Sequence, residues 1–140
     1  MITPYSIAEK FIGLTEVPGK DSNAQIISML TLDADWPTGD DVPWCSAFVN
    51  YVCWLAGVSR SKKLNARSWL DVGKAVPVQF AMAGYDVAIL SRGSNPAQGH
   101  VGFYHNHDKD NIYLLGGNQA DSVNITGFPL ARLLGVRRLT

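Results

Sequence analysis

Charge is scarce in this chain, and it is balanced. Twelve basic residues face twelve acidic ones among 140, and charged residues make up only 17% of the sequence. Such a balance gives no reason to expect a polyanion, so nucleic acid is not an expected partner. No stretch approaches the ~18 continuous apolar residues of a membrane span, so no membrane is expected either. The segment Met1 to Lys10 lacks a basic start leading into an apolar core, the pattern of a signal peptide. The expectation is a chain made in the cytoplasm without a signal peptide, any work outside it needing a separate delivery route. There are two cysteines. Cys45 and Cys53 fall in one predicted helix, ~12 Å apart at ~1.5 Å rise per residue, too far for a disulfide. They also lack the Cys-x-x-Cys spacing of thiol redox motifs. Repeats and linkers are absent, and 46% hydrophobic content suits one globular domain over residues 1–140.

What is present is organised around the stretch from Pro43 to Gly57, which reads as a helix. Pro43 suits a helix entrance and Gly57 an exit. Asp40 and Asp41 lie upstream, where negative charge favours the positive helix end. Apolar residues on nearly every side predict a central, buried helix. Cys45 falls in its first turn, where unpaired backbone N–H groups favour the thiolate, the nucleophilic form. Cys53, two turns on, reads as core.

In chain order, Pro4 to Gly13 predicts a first helix and Asn23 to Leu30 a second. A turn-rich loop over 16–23 separates them. Ala66 to Val72 predicts a short helix ended by Gly73. The period then changes. Val76–Phe80, Asp86–Leu90, Gly99–Asn106, Ile112–Gly116, Ser122–Ile125 and Leu134–Leu139 read as strands, with a hairpin turn at Asp108–Asn111. Helices first and antiparallel strands second predict an α+β domain, its N-terminal helices packed on one face of the sheet.

This order brings a helix-start cysteine towards a histidine at a strand start, His100. A thiol hydrolase needs that pair: the imidazole takes the thiol proton, a third polar group orients the ring, and helix-end N–H groups stabilise the oxyanion. Following the hairpin back places residues ~118–119 opposite His100. One residue of register separates Asn118 from Gln119 as the third group. Gly116 and Gly117 remove side chains beside them, consistent with close approach of substrate.

Other clusters carry less. The acidic loop from Asp33 to Asp41 misplaces the glycine of a calcium loop and lacks its closing glutamate, so it reads as capping and solubility. His105 and His107 flank an exposed turn with no completing ligand. No metal and no cofactor is expected. Arg60, Lys62, Lys63 and Arg67 form a basic cluster that reads as a solvated face, with docking to an anionic wall polymer as the alternative.

At these residues a resemblance enters. Cys45-Ser46-Ala47-Phe48-Val49 is similar to the Cys-Ser-Gly-hydrophobic-Val/Thr opening of the catalytic helix in NlpC-type peptidases. Gly99-His100-Val101-Gly102-Phe103-Tyr104 resembles their Gly-His-Val-Gly-Ile-Tyr strand. Together with Ala66-Arg67-Ser68-Trp69-Leu70 and Leu115-Gly116-Gly117-Asn118-Gln119, the pattern resembles a small bacterial and phage branch of the NlpC/CHAP superfamily over residues 5 to 138. The resemblance implies a papain-like core, with Cys45 as nucleophile, His100 as base and Asn118 as the orienting residue. Trp44 stands where NlpC enzymes commonly carry Asp and CHAP enzymes Gln; it is expected as a substrate wall, with core packing the alternative, and Gln119 as a further substrate contact. Gly39 stands where papain-like enzymes place an oxyanion glutamine.

The implied activity is cleavage of peptidoglycan amide bonds, in stem peptides or cross-bridges. The setting would be a phage endolysin or an exported cell-wall effector acting at the periplasm or wall. An exported effector would need an immunity protein as partner. The alternatives are a cysteine protease or deamidase on protein substrates, and a non-catalytic wall-binding or virion module.

Overall fold

The computed structural model describes residues 2–16, 23–33 and 44–140. Helices α1 (Pro4–Glu9), α2 (Ala24–Leu30) and α3 (Cys45–Ala56) precede strands β1 (Lys74–Val76), β2 (Asp86–Ser91), β3 (Gly99–His107), β4 (Asn111–Gln119), β5 (Ser122–Pro129) and β6 (Leu133–Arg138). Among the described residues the strands form one antiparallel sheet in the order β1-β6-β2-β3-β4-β5. The architecture is α+β, as the segregation of periods predicts.

Local chemistry explains the helix ends. Thr3 and Ser6 cap α1 reciprocally, with Pro4 at its first position. Asn23 accepts the Gln25 and Ile26 N–H groups at the start of α2. Gly57 closes α3 in the left-handed conformation at φ +71°, where a side chain is penalised. Most of the helix is covered: Phe48, Val49, Val52 and Cys53 are fully buried with Val101, Phe103 and Leu115 of the sheet, whereas Trp54 and Leu55 near its end are exposed, against the expectation of burial on nearly every side.

Several boundaries differ from expectation. The first helix ends at Glu9, and the chain turns before Gly13, whose N–H reaches Val123 O. The expected strand over Val76–Phe80 splits: β1 stops at Val76 and residues Val78–Phe80 form a 3-10 turn. Pro77 between them has no N–H to give to a ladder. The strand starting at Ser122 runs on to Pro129, four residues beyond the expected Ile125.

The helices lie on one face, as expected. The opposite face buries its own cluster, in which Ala88, Leu90, Tyr104, Ile112, Leu114 and Val136 pack with Val78 and Leu130 from 3-10 turns. Cover on both faces explains why β2 reads Val87-Ala88-Ile89-Leu90 without a polar break. Among the described residues no helix is long and apolar enough to cross a membrane.

Candidate active site

Cys45 is the first residue of α3, so its backbone N–H has no acceptor within the helix. The helix start is held close to the sheet by absence of bulk. A Cβ on Gly117 would stand 2.6 Å from the Trp44 ring and 2.8 Å from Phe48 Cβ. Gly116 is equally constrained, since a Cβ there would meet Gln119 Oε1 at 2.5 Å. The glycine pair therefore makes room for the helix start and for the Gln119 side chain, correcting the expectation that it clears space for substrate.

Cys45 and His100 lie close enough to act on one another, and the backbone N–H groups of Val101 and Ser46 also act on the sulfur. Burial pushes the thiol upward. The hydrogen bond and charge of His100, with those two N–H groups, outweigh it and hold Cys45 below the ordinary thiol range. Burial also pushes the His100 imidazolium down. Its hydrogen bond to Cys45, the thiolate charge and the hydrogen bond to Gln119 outweigh that, so His100 lies above its ordinary range. Each group is thus shifted in the direction that favours a thiolate–imidazolium pair.

The residue that hydrogen-bonds His100 is Gln119, not the expected Asn118. Gln119 Oε1 lies 2.9 Å from His100 Nε2. The Gln119 side-chain amide donates to Leu114 O, Asn124 O and Asn124 Oδ1 at 3.2, 2.8 and 3.0 Å. Three oxygens around that NH2 leave only Oε1 for the histidine, so Nε2 must carry a proton. Nδ1 is then the nitrogen left to exchange a proton with the thiol. The reason for the change from Asn118 is a slip in β4. Its pairing with β5 runs regularly to Gly116↔Asn124, then shifts to Gln119↔Ser122. Asn118 sits at φ +58° within the shift. Simple continuation of Phe103↔Leu115 would have put Asn118 opposite His100. Asn118 instead lines a hollow beside the ring.

Trp44 is fully buried and donates from Nε1 to Glu16. It is core, which corrects the expectation of a substrate wall. Gln119, 4% exposed, belongs to the buried network and shows only an edge to the hollow beside His100. Asn124 is a residue that the sequence reading missed. It accepts from Gln119 and from Thr126 and donates to Gln119 O at 2.7 Å. The signal that could have found it is the alternation of Ser122, Asn124, Thr126 and Phe128 along one side of β5, too polar for a plain core strand.

Motif residues beyond the dyad have structural work. Ser46 Oγ accepts from Trp69 Nε1 at 2.9 Å and donates to Lys63 O, while Asn50 accepts from the Lys62 N–H. These bonds tie the 58–65 connection and the Ala66–Asp71 turn to α3. Arg60 pairs with Asp33 at 2.9 Å, and Arg67 donates to Gln98 O and Asn95 O. Half of the basic cluster is thus spent inside the fold. Asp33 is engaged by that pair, whereas Asp35, Gly39, Asp40, Asp41 and Pro43 lie outside the described residues. His105 and His107 each meet a tyrosine hydroxyl, of Tyr5 and Tyr104. Among the described residues no group of three or more His, Cys, Asp or Glu side chains stands together as a metal site.

Access to the dyad comes from two sides. Cys45 opens on a cleft of about 290 Å³ walled by Leu64, Asn65, Arg92 and Gln98. His100 opens on a hollow of about 230 Å³, with Arg92 shared between the two. A larger hollow of about 590 Å³ lies around Met82, Tyr85 and the Asp86–Arg138 pair. Neither Cys45 nor His100 lines it.

Comparison with known proteins places the fold. No family model matches the chain, and no curated protein matches it in sequence. Solved structures do match. NlpC1 from Trichomonas vaginalis superposes with a TM-score of 0.60 at 14% identity, over 98% of this chain and 43% of that one. A Staphylococcus aureus Mu50 protein described as similar to lipoprotein, NLP/P60 family, superposes with a TM-score of 0.55 at 19% identity, over 97% of this chain and 40% of that one. This chain therefore spans well under half the length of either neighbour.

Proposed function

We propose that this chain, whose fold is that of NlpC/P60 proteins, is a cysteine hydrolase of peptidoglycan amide bonds. The observation that carries the reading is the buried relay Cys45–His100–Gln119, in which the amide of Gln119 sets the tautomer of the histidine. The Cys45 thiolate attacks the amide carbonyl, and the free N–H of Cys45 at the helix start faces the developing oxyanion. The His100 imidazolium passes a proton to the departing amine, leaving a thioester on Cys45. Neutral His100 then takes a proton from water, whose oxygen displaces the thiolate and releases the acid. Gln119 accepts from Nε2–H throughout and holds the ring in plane with both partners.

The wall enters from the two fold neighbours, whose descriptions name the NlpC and NLP/P60 group, and from the motif resemblance. We place the activity at the periplasm or cell wall, reached through phage lysis or a specialised secretion machine. In a producer that exports the enzyme, an immunity protein would be its partner.

The test is mass spectrometry of material released from purified sacculi by the intact protein and by Cys45→Ala. New amino and carboxyl ends that appear only with the intact protein support the reading and name the bond. No release across several wall chemistries by folded protein overturns it, and turns attention to protein amides.

A further inference from the structure

We infer that the hollow beside His100 is a carboxylate-binding subsite for the amine half of the substrate, an inference that rests on the hydrolase reading above. Arg92 and Arg132 stand on its wall with Asn118, Thr126 and Phe128, and among the described residues no acidic side chain lines it. The other guanidiniums with acidic neighbours are matched: Arg60 pairs with Asp33 and Arg138 with Asp86. Neither Arg92 nor Arg132 has a carboxylate partner among the described residues.

Arg132 is also pre-positioned. Its Nε donates to Ser91 O at 2.9 Å, and its guanidinium lies 5.3 Å from the centroid of Phe128. The Phe128 ring in turn packs 5.0 Å from His100. With Nε and one face committed, the terminal amino groups remain for a ligand in the fork geometry that suits a carboxylate. Arg92 is exposed and lines both the Cys45 cleft and the His100 hollow, so a chain crossing the dyad passes it.

The charge of the hollow favours an anion there. The Cys45 thiolate offsets the charge of the His100 imidazolium, but the Arg132 charge still disfavours that imidazolium. Like charges at short range in a partly dry site disfavour one another. A carboxylate between the arginines relieves that and stabilises the imidazolium. The choice of substrate half follows from the proton path: His100 protonates the departing nitrogen, so the amine half lies on the His100 side. Stem peptides carry free carboxylates that meet this demand.

The experiment is a binding titration on the full chain carrying Cys45→Ala, which cannot turn over. The probes are L-Ala-γ-D-Glu-L-Lys-D-Ala-D-Ala with both carboxyls free and the same peptide with both as carboxamides. The free-acid peptide should bind roughly tenfold or more tighter, a preference that shrinks with salt. Arg92→Gln and Arg132→Gln should each erase most of the preference, whereas Lys109→Gln, on the distant hairpin turn, should keep it. Equal binding of the two peptides, or a preference that survives both arginine substitutions, overturns the subsite. Tighter binding of glycerol phosphate than of the free-acid peptide overturns the carboxylate assignment. Arg92 lies on the surface, so its variant stays informative even if Arg132→Gln misfolds. A preference in this titration stands whether or not sacculi release fragments, and fragment release without a preference removes the subsite alone.

Discussion

The two ends of α3 offer a controlled comparison. Cys45 and Cys53 are the same residue type in one helix, and both are buried. Cys53 is wrapped in apolar side chains, and burial pushes its thiol up to about 12, the distant Arg60 charge opposing weakly. Cys45 is no more exposed in any useful sense, at 6%, yet its thiol is held below the ordinary range. Burial alone therefore does not decide reactivity. What differs is directed polarity: at Cys45 an imidazole and two backbone N–H groups aim at the sulfur, and the helix end leaves its own N–H free.

The largest effect expected from this contrast is in alkylation. Iodoacetamide at near-neutral pH should modify Cys45 roughly a thousandfold or more faster than Cys53, because the thiolate fraction falls tenfold for each unit by which the thiol is raised. Peptide mapping after timed quenching measures both rates in one sample. Comparable rates would show that the directed groups do not act on Cys45 as argued. His100→Ala should remove most of the advantage of Cys45 and leave Cys53 as it was.

The next effect concerns the far side of the histidine. Gln119→Ala should lower kcat/KM roughly ten- to hundredfold, the loss of an orienting hydrogen bond to a charged ring, while Asn118→Ala should change it much less. The sign with pH is fixed by the pair. Activity falls on the acid side as the Cys45 thiolate is protonated, and on the alkaline side as the His100 imidazolium loses its proton. The Gln119 hydrogen bond raises His100, so Gln119→Ala should move the alkaline limb to lower pH. A merely structural defect would lower the whole profile without moving that limb. The reverse ranking of the two variants would restore Asn118 to the orienting place.

That ranking marks where the sequence stops being legible. Cys45 at a helix start and His100 at a strand start follow from period and punctuation, since Gly57 and the Val101-Gly102-Phe103 alternation are local signals. The choice between Asn118 and Gln119 depends on a register shift confined to Gly116–Gln119, and on a left-handed Asn118 that no local pattern demands. The hairpin beyond it turns at Ala120 and Asp121, both at positive φ (+51° and +62°). Glycine or asparagine is the usual signal for such a turn, and alanine conceals it. Trp44 was ambiguous for a related reason: an aromatic before the cysteine fits a substrate wall and a core anchor equally until the space above Gly117 is known. Asn124 shows in the sequence only as polar alternation along β5, and its partner lies across a bulged hairpin.

The smallest effect tests the comparison from its other side. Cys53→Ala deletes one sulfur from a close-packed region, and should cost about 0.5–1.5 kcal/mol, in the range of a small core truncation. For a chain of this size that is a fall of a few degrees in Tm, read by calorimetry, with hydrolysis unchanged. Cys45→Ala should do the opposite, silencing hydrolysis while leaving Tm within a degree or two, because His100 can release its proton once the thiolate is gone and no buried charge is stranded. If Cys53→Ala also abolished activity at temperatures where it is folded, the division of α3 into a reactive end and a packing end would fail. The two substitutions would then act on one cooperative unit. If the effects separate as expected, the reactive end costs the fold little, because Gly116 and Gly117 have already cleared the space it needs.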